Sequence, residues 1–406
     1  IESMTIQLVI IGGGAAGFFA AANLARENLD ITILEATDEI MRKIIISGGG
    51  RCNVTHACFD PTELITYYPR GNKELLSPFM KYACGDTMDW FSKRGVELKI
   101  EEDGRIFPIT DDSNTIANCL YRNSIDRGVK LLKKTKVDRI EYHGEQGYTI
   151  HTNQGVHEAN FILIATGSNV SMWKVLNEMG IKTIEPVPSL FTFNTKDHRL
   201  KELSGVAFEH VSLQITDTKL KSEGPMLITH WGLSGPAILK LSAWGAVQLA
   251  ALNYKFELNV QFVDEDFDTV VKLLNEYKMA HPKRSIAGNP QFNIPKRYWS
   301  NVCLYLKIPE TLIWADANKH QIIALAQEWT SAKFNIAGKS THKDEFVTAG
   351  GVALEEIDFK TYQHKRFKGM YFAGEVLNID GVTGGFNFQN AWTGATIASQ
   401  NILTQL

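Results

Sequence analysis

The 406-residue sequence has no long apolar run. Nothing in it approaches the about 20 residues of a membrane span, and its start has neither the basic region nor the apolar core of a signal peptide. A membrane partner is therefore not expected, and the expected compartment is the cytoplasm. A charge excess is missing as well: 42 Lys and Arg stand against 45 Asp and Glu, and a net charge of −3 gives no general attraction for nucleic acid or an anionic surface. Nucleic acid is accordingly not expected as a partner, whereas a small-molecule substrate is; the oligomeric state is left open. The five cysteines (Cys52, Cys58, Cys84, Cys119, Cys303) are an odd, scattered set, as reduced thiols are, and the absence of any C-x-x-C excludes a disulfide-reductase redox pair. Cys52, His56 and Cys58 lie close together, but a fourth ligand is not evident and no metal is expected. Ile1-Glu2-Ser3, ahead of Met4, is left out of the fold.

Glycine is plentiful and ordered. Leu8-Val9-Ile10-Ile11 is short, branched and uniformly apolar, as a strand buried on both faces of a parallel sheet is. It breaks into Gly12-Gly13-Gly14-Ala15-Ala16-Gly17 and reopens as the alanine-rich stretch Phe18 to Arg26, which reads as strand, tight turn, helix. Gly12 permits the sharp bend, Gly14 lets backbone approach a pyrophosphate, and Gly17 lets the helix pack close to the strand. The diphosphate then meets the free N–H groups and positive end of the helix. A second strand, Ile31-Thr32-Ile33-Leu34, ends in Glu35 and Ala36, where an acid grips a ribose diol. The expected ligand is a dinucleotide.

Directly behind comes Met41 to Thr55, with Lys43 near its start and Ser47-Gly48-Gly49-Gly50-Arg51-Cys52-Asn53 at its heart. Three consecutive glycines expose bare backbone, expected to run along the middle of the cofactor, with Arg51, Asn53 and Thr55 offering polar groups beyond it. Phe79 to Arg94 and Ser113 to Arg127 read as amphipathic helices with an extended excursion, Val96 to Pro108, between them. Lys136 to Tyr142 and Tyr148 to Thr152 read as strands joined by a turn at His143 to Gly147. Phe161 to Ile164, followed by Ala165-Thr166-Gly167, is another buried strand, expected to return to the first sheet with Thr166 and Gly167 beside the nucleotide.

Pro186 and Pro188 mark a boundary. To about Lys343 the texture changes to strands at His210 to Thr216 and Tyr254 to Val263, and helices around Asp266 to Met279 and Lys319 to Phe334. Phe346 to Val352 then reads as strand and glycine turn, and Gly369 to Val376 as a buried strand ending in Gly374-Glu375. Asp380 to Asn387 leads into a final helix from Phe388 to Leu403. The expected fold is α/β: a Rossmann-type FAD-binding domain, glutathione-reductase-like, formed by residues 4–188 and 344–406 and interrupted by a β-rich and helical domain at 189–343.

One fingerprint, strands ending in Ala-Thr-Gly and Gly-Glu, and a glycine turn opening the closing helix form the layout of an FAD site. The ADP half takes the first βαβ unit, the ribityl chain needs a polar contact such as Gly374-Glu375, and a helix start at Gly385, Phe386 and Asn387 favours negative charge on the reduced ring. No second fingerprint follows a strand, so NAD(P)H is expected only as a transient donor, with oxygen as the other possible partner. Within the insert, Thr229-His230-Trp231-Gly232-Leu233-Ser234-Gly235-Pro236 makes His230 a candidate, with Arg51, to orient the substrate or move a proton; a structural histidine is the alternative. His281, Lys283, Arg284, Lys296, Arg297, Tyr298 and Trp299 mix basic and aromatic residues as an RNA-binding face does, or as a solvated basic surface does.

Gly-Gly-Gly-Ala-Ala-Gly at 12 to 17, Ile-Ser-Gly-Gly-Gly-Arg-Cys-Asn at 46 to 53, Thr-His-Trp-Gly-Leu-Ser-Gly-Pro at 229 to 236, Val-Thr-Ala-Gly-Gly-Val at 347 to 352 and Phe-Ala-Gly-Glu-Val-Leu at 372 to 377 resemble the BaiN/RdsA-like (YhiN-type) FAD-dependent oxidoreductases. The resemblance covers essentially the whole chain. It implies a split Rossmann-type domain and FAD contacts at Glu35, Lys43, Ser47 to Asn53, Val137, Thr166, Gly374, Glu375 and Gly385 to Asn387. Asn378 stands where that family usually has Asp, and Phe386 where Tyr is common. The family's activities include reduction of unsaturated ring compounds and amine oxidation.

The expected function is hydride transfer between a small organic substrate and non-covalently bound FAD, in a pocket walled by the insert. The alternatives are a flavin-dependent RNA-modifying enzyme and a redox sensor that uses Cys52 beside the ring.

Overall fold

The computed structural model describes residues 6–26, 28–341 and 347–406. Ile1 to Met4, Phe346 and the expected boundary at 343/344 lie outside the described residues. The chain divides into two compact units, Ile1–Val187 with Val347–Leu406, and Pro188–Phe346.

The first unit opens with β1 (Ile6–Ile11), α1 (Ala15–Leu24) and β2 (Leu29–Leu34). β1 and β2 pair in parallel with Leu8 opposite Ile31. From Leu8 to Ile11 β1 is apolar on both faces because helices cover the sheet, whereas β2 alternates, with Asp30 and Thr32 half-buried between Leu29, Ile31 and Ile33. A Cβ on Gly17 would stand 2.0 Å from the Gly12 carbonyl oxygen, and one on Gly12, at φ +113°, would stand 2.4 Å from that of Ala165. These two glycines seat helix on strand and strand on strand.

Next come α2 (Arg42–Gly50), β3 (Thr55–His56), α3 (Pro61–Leu64), α4 (Asn72–Lys81), α5 (Cys84–Ser92), β4 (Leu98–Ile100), β5 (Arg105–Pro108) and α6 (Asn114–Ser124). The span Phe79 to Arg94, expected as one helix, is two. Tyr82 is extended at φ −152°, and the Asp86 carboxylate accepts the Ala83 N–H at 2.8 Å, starting a new helix one turn later. Next, β6 (Lys130–Leu132) extends the sheet beside β2, and β7 (Val137–Tyr142), β8 (Tyr148–Thr152) and β9 (Gly155–Ala159) form an antiparallel sheet of their own. β10 (Phe161–Ile164) returns to pair in parallel with β1, followed by α7 (Val170–Glu178) and β11 (Thr183–Ser189).

In the second unit, β12 (Thr192–Asn194), β13 (Ala207–Ile215), β14 (Lys221–Ile228), β15 (Gly232–Ser234), β16 (Lys255–Gln261) and β17 (Ala332–Ser340) close a barrel in the order β12-β15-β14-β13-β16-β17. Closure leaves no edge strand. Its helices are α8 (Pro236–Trp244), α9 (Ala246–Ala251), α10 (Phe267–Ala280), α11 (Lys296–Tyr305) and α12 (Lys319–Ser331). The helix expected to reach Phe334 stops at Ser331. From Ala332 the pattern alternates, with Ala332, Phe334 and Ile336 buried and Lys333, Asn335 and Ala337 exposed, a period of two that suits a barrel strand. The unit has its own core, in which fully buried Trp299 and Trp329 stack with centroids 4.8 Å apart.

The chain re-enters the first unit at β18 (Val347–Val352), then runs through β19 (Ile357–Asp358), β20 (Gln363–His364) and β21 (Met370–Phe372) to α13 (Phe386–Thr404). The main sheet has the order β19-β20-β21-β10-β1-β2-β6. Gly350 and Gly351, read as a turn, lie inside β18: Cβ atoms there would stand 2.7 Å from the Pro186 Cα and 2.6 Å from the Val376 carbonyl oxygen. Close backbone approach, not chain reversal, is the reason for those glycines. α13 begins at Phe386, two residues before the sequence-based start. Among the described residues no helix is long and apolar enough to cross a membrane.

Candidate functional site

The carboxyl ends of β1, β2, β10 and β21 open onto a cleft of about 680 Å³ in the first unit. Gly12 to Ala16 line its floor, with Glu35 and Ala36, Lys43, Val137, Ala165 to Gly167, Gly374 and Glu375, and Asn387 and Phe388 around it. This is where the topology of an open parallel sheet puts a ligand.

The start of α1 faces the cleft. A Cβ on Gly14 would meet nothing within 4 Å, so that position opens into space while Gly12 and Gly17 are hemmed in by backbone. At the tip of β2, Glu35 Oε2 accepts the Gly13 N–H at 2.9 Å, and Oε1 accepts the Thr37 N–H and hydroxyl, each at 2.8 Å. The carboxylate is thereby aimed, with acceptor capacity left over. Across the cleft the Thr166 hydroxyl is buried with no partner among the described residues, and Lys43 is ion-paired with Glu375. An unpartnered hydroxyl, an open glycine and an aimed acid at the end of β2 fit the diphosphate and ribose of a dinucleotide.

Arg42 to Gly50 is helical only as far as Ile46. Ser47 turns extended (φ −65°, ψ 151°), and Gly48, Gly49 and Gly50 take left-handed values of +58°, +70° and +84°. A Cβ on Gly48 would stand 2.8 Å from the Phe107 ring, whereas Gly49 and Gly50 face open space. The Gly50 carbonyl accepts the Ser113 N–H at 2.9 Å. Arg51 spans this turn. Its Nε donates to the Gly48 carbonyl at 3.3 Å, its Nη1 lies 2.6 Å from Glu101 Oε1 and 3.4 Å from Asp111 Oδ1, and the guanidinium sits 3.9 Å over the Phe107 ring. The hydrogen bond that Arg51 donates to Glu101 raises its pKa further, so this side chain can orient a partner but does not move a proton.

The start of α13 is clamped from several sides. The Asn53 amide, oriented by its surroundings, accepts the Gly385 N–H at 3.0 Å and donates to the Thr55 carbonyl at 3.0 Å and that of Ile106 at 3.3 Å. Phe386 is buried and stacks with Tyr67 (4.3 Å) and His56 (4.7 Å), whose own rings are 5.8 Å apart, while its carbonyl accepts the Tyr68 hydroxyl at 2.6 Å. Asn387 closes the preceding loop, accepting the Gly381 N–H at 2.8 Å and donating to its carbonyl at 3.0 Å. Behind it Gln389 accepts the Thr55 and Thr87 hydroxyls at 2.6 and 2.9 Å. The side chains of Asn53, Phe386 and Asn387 are thus occupied in holding the helix; what the helix start offers a ligand is backbone, its first-turn N–H groups having no partner within the helix.

The structure gives the other candidates these surroundings. Cys52 is fully buried and burial pushes its thiol up to about 12 against a smaller opposing hydrogen bond from Ser47, so it lacks the accessible thiolate of a sensor cysteine. His56 lies on Phe386 with Nε2 at 3.1 Å from the Asp103 carbonyl oxygen, and among the described residues no three His, Cys, Asp or Glu groups could hold a metal. In the second unit His230 is exposed on the turn between β14 and β15. Tyr298 and Trp299 are buried in the core, so the 281–299 segment is not the basic-aromatic face its sequence suggests. Sequence reasoning missed Thr37 and Asp38, Thr135 and Lys136, and Ser168 and Asn169 along the cleft. These are loop residues with no periodicity; their one signal is that each follows or precedes a strand end already assigned to the site.

The HI0933-like protein Rossmann domain family matches residues 6–401. The chain belongs to the HI0933-like family. This confirms the resemblance drawn from the motifs, to the BaiN/RdsA-like FAD-dependent oxidoreductases, and with it the Rossmann-type fold. Among relatives of this family member is the ribosomal RNA dihydrouridine synthase of Escherichia coli K12, 28% identical over 97% of each chain. Another is the 3-dehydro-bile acid delta(4,6)-reductase of Clostridium scindens, 24% identical over 97% of this chain and 98% of that one. Among solved structures, the 3-ketosteroid-delta4-(5alpha)-dehydrogenase of Rhodococcus jostii RHA1 shares the fold at a TM-score of 0.50 and 12% identity, over 97% of both chains.

Proposed function

We propose that this protein saturates a carbon–carbon double bond conjugated to a carbonyl in a planar ring, with FAD in the cleft of the first unit and NAD(P)H as the electron source. The observation that carries this reading is the continuity of one cleft from the open Gly14 at the start of α1, past Glu35 and the Thr166 hydroxyl, to Asn387 and Phe388 at the start of α13. Such a run of contacts suits a ligand as long as FAD, whose ring supplies hydride transfer at N5. The N-terminal N–H groups of α1 would hold the diphosphate, Glu35 a ribose hydroxyl, and Thr166 a further oxygen. Asn53, by fixing Gly385, keeps the positive end of α13 where it favours negative charge on the bound ring. Arg51 keeps the Gly48–Gly50 backbone in shape. His230, exposed on the turn between β14 and β15 of the second unit, is proposed as a group that moves a proton.

The direction is supported by the relatives. Dihydrouridine is uridine with its ring double bond saturated, and a delta(4,6)-reductase acting on a 3-dehydro steroid saturates bonds conjugated to the 3-carbonyl; the two names share that chemistry. A second reading makes the ring a base of RNA, favoured by 28% identity to the ribosomal RNA enzyme along 97% of the chain.

Anaerobic stopped-flow bleaching of the flavin band with NADH and with NADPH tests the proposal, followed by addition of a cyclic enone, of ribosomal RNA, or of air. Fast bleaching by a nicotinamide and recovery on enone or RNA outpacing recovery in air is the expected result. Bleaching by a small amine with quick recovery in air makes the protein an oxidase and overturns it. His230→Ala is expected to slow recovery at unchanged FAD content, and an unchanged rate removes the role given to His230.

A further inference from the structure

The second unit presents one large aromatic side chain on a fixed turn. Trp231 is 66% exposed. The Thr229 N–H donates to the Gly232 carbonyl at 2.8 Å, the Thr229 hydroxyl oxygen accepts the N–H groups of Trp231 and Gly232 at 3.3 and 3.2 Å, and Thr195 donates to the Trp231 carbonyl at 3.0 Å. Gly232 sits at φ +147°, where a Cβ would stand 2.2 Å from the Phe193 carbonyl oxygen. The indole is therefore held out into water by a backbone with little freedom, at the cost of exposing a large apolar ring.

The segments tied to that turn carry cations. Thr195, which holds Trp231, leads into exposed Lys196. The Ile228 carbonyl accepts the Gly205 N–H at 2.9 Å, and the chain before Gly205 is bound to α11, where Arg297 donates to the Glu202 carbonyl and Asn301 to the carbonyls of Arg199 (3.2 Å) and Lys201 (3.0 Å). Lys196, Lys201, Lys296 and Arg297 are exposed, and among the described residues neither Lys196 nor Lys296 has an ion pair. The acids nearby are largely spent. Asp197 and Glu328 are drawn inward by the buried Arg199 at 2.7 and 2.6 Å, and Glu202 lies 3.9 Å from Lys201. Along this end of the barrel two carboxylates are held inward by Arg199, while Glu202 is exposed beside Lys201.

We infer that this face of the second unit binds an unpaired stretch of RNA, with the Trp231 indole stacking on a base and Lys196, Lys201, Lys296 and Arg297 meeting phosphates. An exposed ring flanked by exposed cations is the combination that holds single-stranded nucleic acid with little regard to sequence. The aromatic partner of the basic segment at 281–299 is thus Trp231, from a distant turn, and not Tyr298 or Trp299. The inference rests on the RNA reading of the proposed function.

The test is filter binding of Escherichia coli ribosomal RNA by the full chain across a salt series, for the wild type, Trp231→Ala, Trp231→Phe and Lys196→Glu with Lys296→Glu, each checked for FAD content and melting temperature. Trp231→Ala is expected to weaken binding about tenfold or more with an unchanged salt slope, while Trp231→Phe stays within about threefold. The double charge reversal is expected to flatten the log–log salt slope by about 1.4, the share of two phosphate contacts on a single strand. Wild-type binding that all variants match overturns this face and leaves the RNA reading standing. No salt-dependent binding by the wild type overturns the RNA reading itself, and this inference with it.

Discussion

The guanidinium of Arg70 grips both carboxylate oxygens of Asp380, 310 residues further along the chain, whose side chain is wholly buried. Neither residue figures in the fingerprint, yet the pair ties the segment after α3 to the loop that delivers α13. Val382 donating to the Tyr67 carbonyl at 3.0 Å and Tyr68 donating to that of Phe386 complete the seam. A buried pair of this kind contributes little against an apolar replacement but costs much when one partner is removed.

Asp380→Ala, which removes the buried carboxylate that the Arg70 guanidinium grips, is expected to destabilise the first unit by about 3–5 kcal/mol. Asp380→Leu combined with Arg70→Met is expected to recover most of that loss. Urea unfolding of the wild type and the two variants checks both, and a cost under about 1 kcal/mol for Asp380→Ala would show that the seam is held elsewhere.

Gly14 and Gly17 separate binding from folding. At φ −93° and with open space at its Cβ position, Gly14 accepts a side chain without strain, so Gly14→Val is expected to fold, melt like the FAD-free wild type and retain less than about a tenth of the flavin. Gly17→Val drives a Cβ to 2.0 Å from the Gly12 carbonyl oxygen and is expected to be insoluble or unfolded. A yellow, stoichiometric Gly14→Val protein would move the diphosphate away from the start of α1.

The cysteines give a pH dependence with a definite sign. Burial pushes the thiols of Cys52 and Cys303 from 9.0 up to about 12, and both are at most 1% exposed. Their neutral forms are the folded forms, so the stabilisation is fully present below pH 9 and is lost as the pH rises past it, because the unfolded chain ionises first. Ellman's reagent at pH 8 is expected to leave both unmodified in the native protein and to label both in urea. Rapid native labelling of Cys52 would restore it as a redox candidate.

The strands of the main sheet were legible because burial on both faces writes itself as an unbroken apolar run, as in Leu8 to Ile11 and Phe161 to Ile164. The site was legible where glycine is needed by backbone geometry, as at Gly12, Gly14 and Gly17. Errors arose where one residue type answers two demands. Gly350 and Gly351 serve close packing inside a strand and were read as a turn, and aromatic residues beside cations in α11 serve a core and were read as a surface. Arg70 and Asp380 carried no local signal at all, since a pairing across 310 residues is set by topology and not by neighbours. For the same reason Trp231, which stands beside His230 in the sequence, gained a meaning only when its exposure was seen.

Sequence order also governs the sequence in which these parts can come into being as a chain emerges. The barrel is one continuous stretch whose last strand ends at Ser340, so every partner of its core exists by then. The cleft waits longer. Its floor is made at Gly12, but its far wall is Gly374 to Phe388, and until α13 is present α1 has a bare apolar face. A nascent chain would therefore hold a finished barrel while its nucleotide domain is unfinished, and flavin could be captured only once α13 has been made.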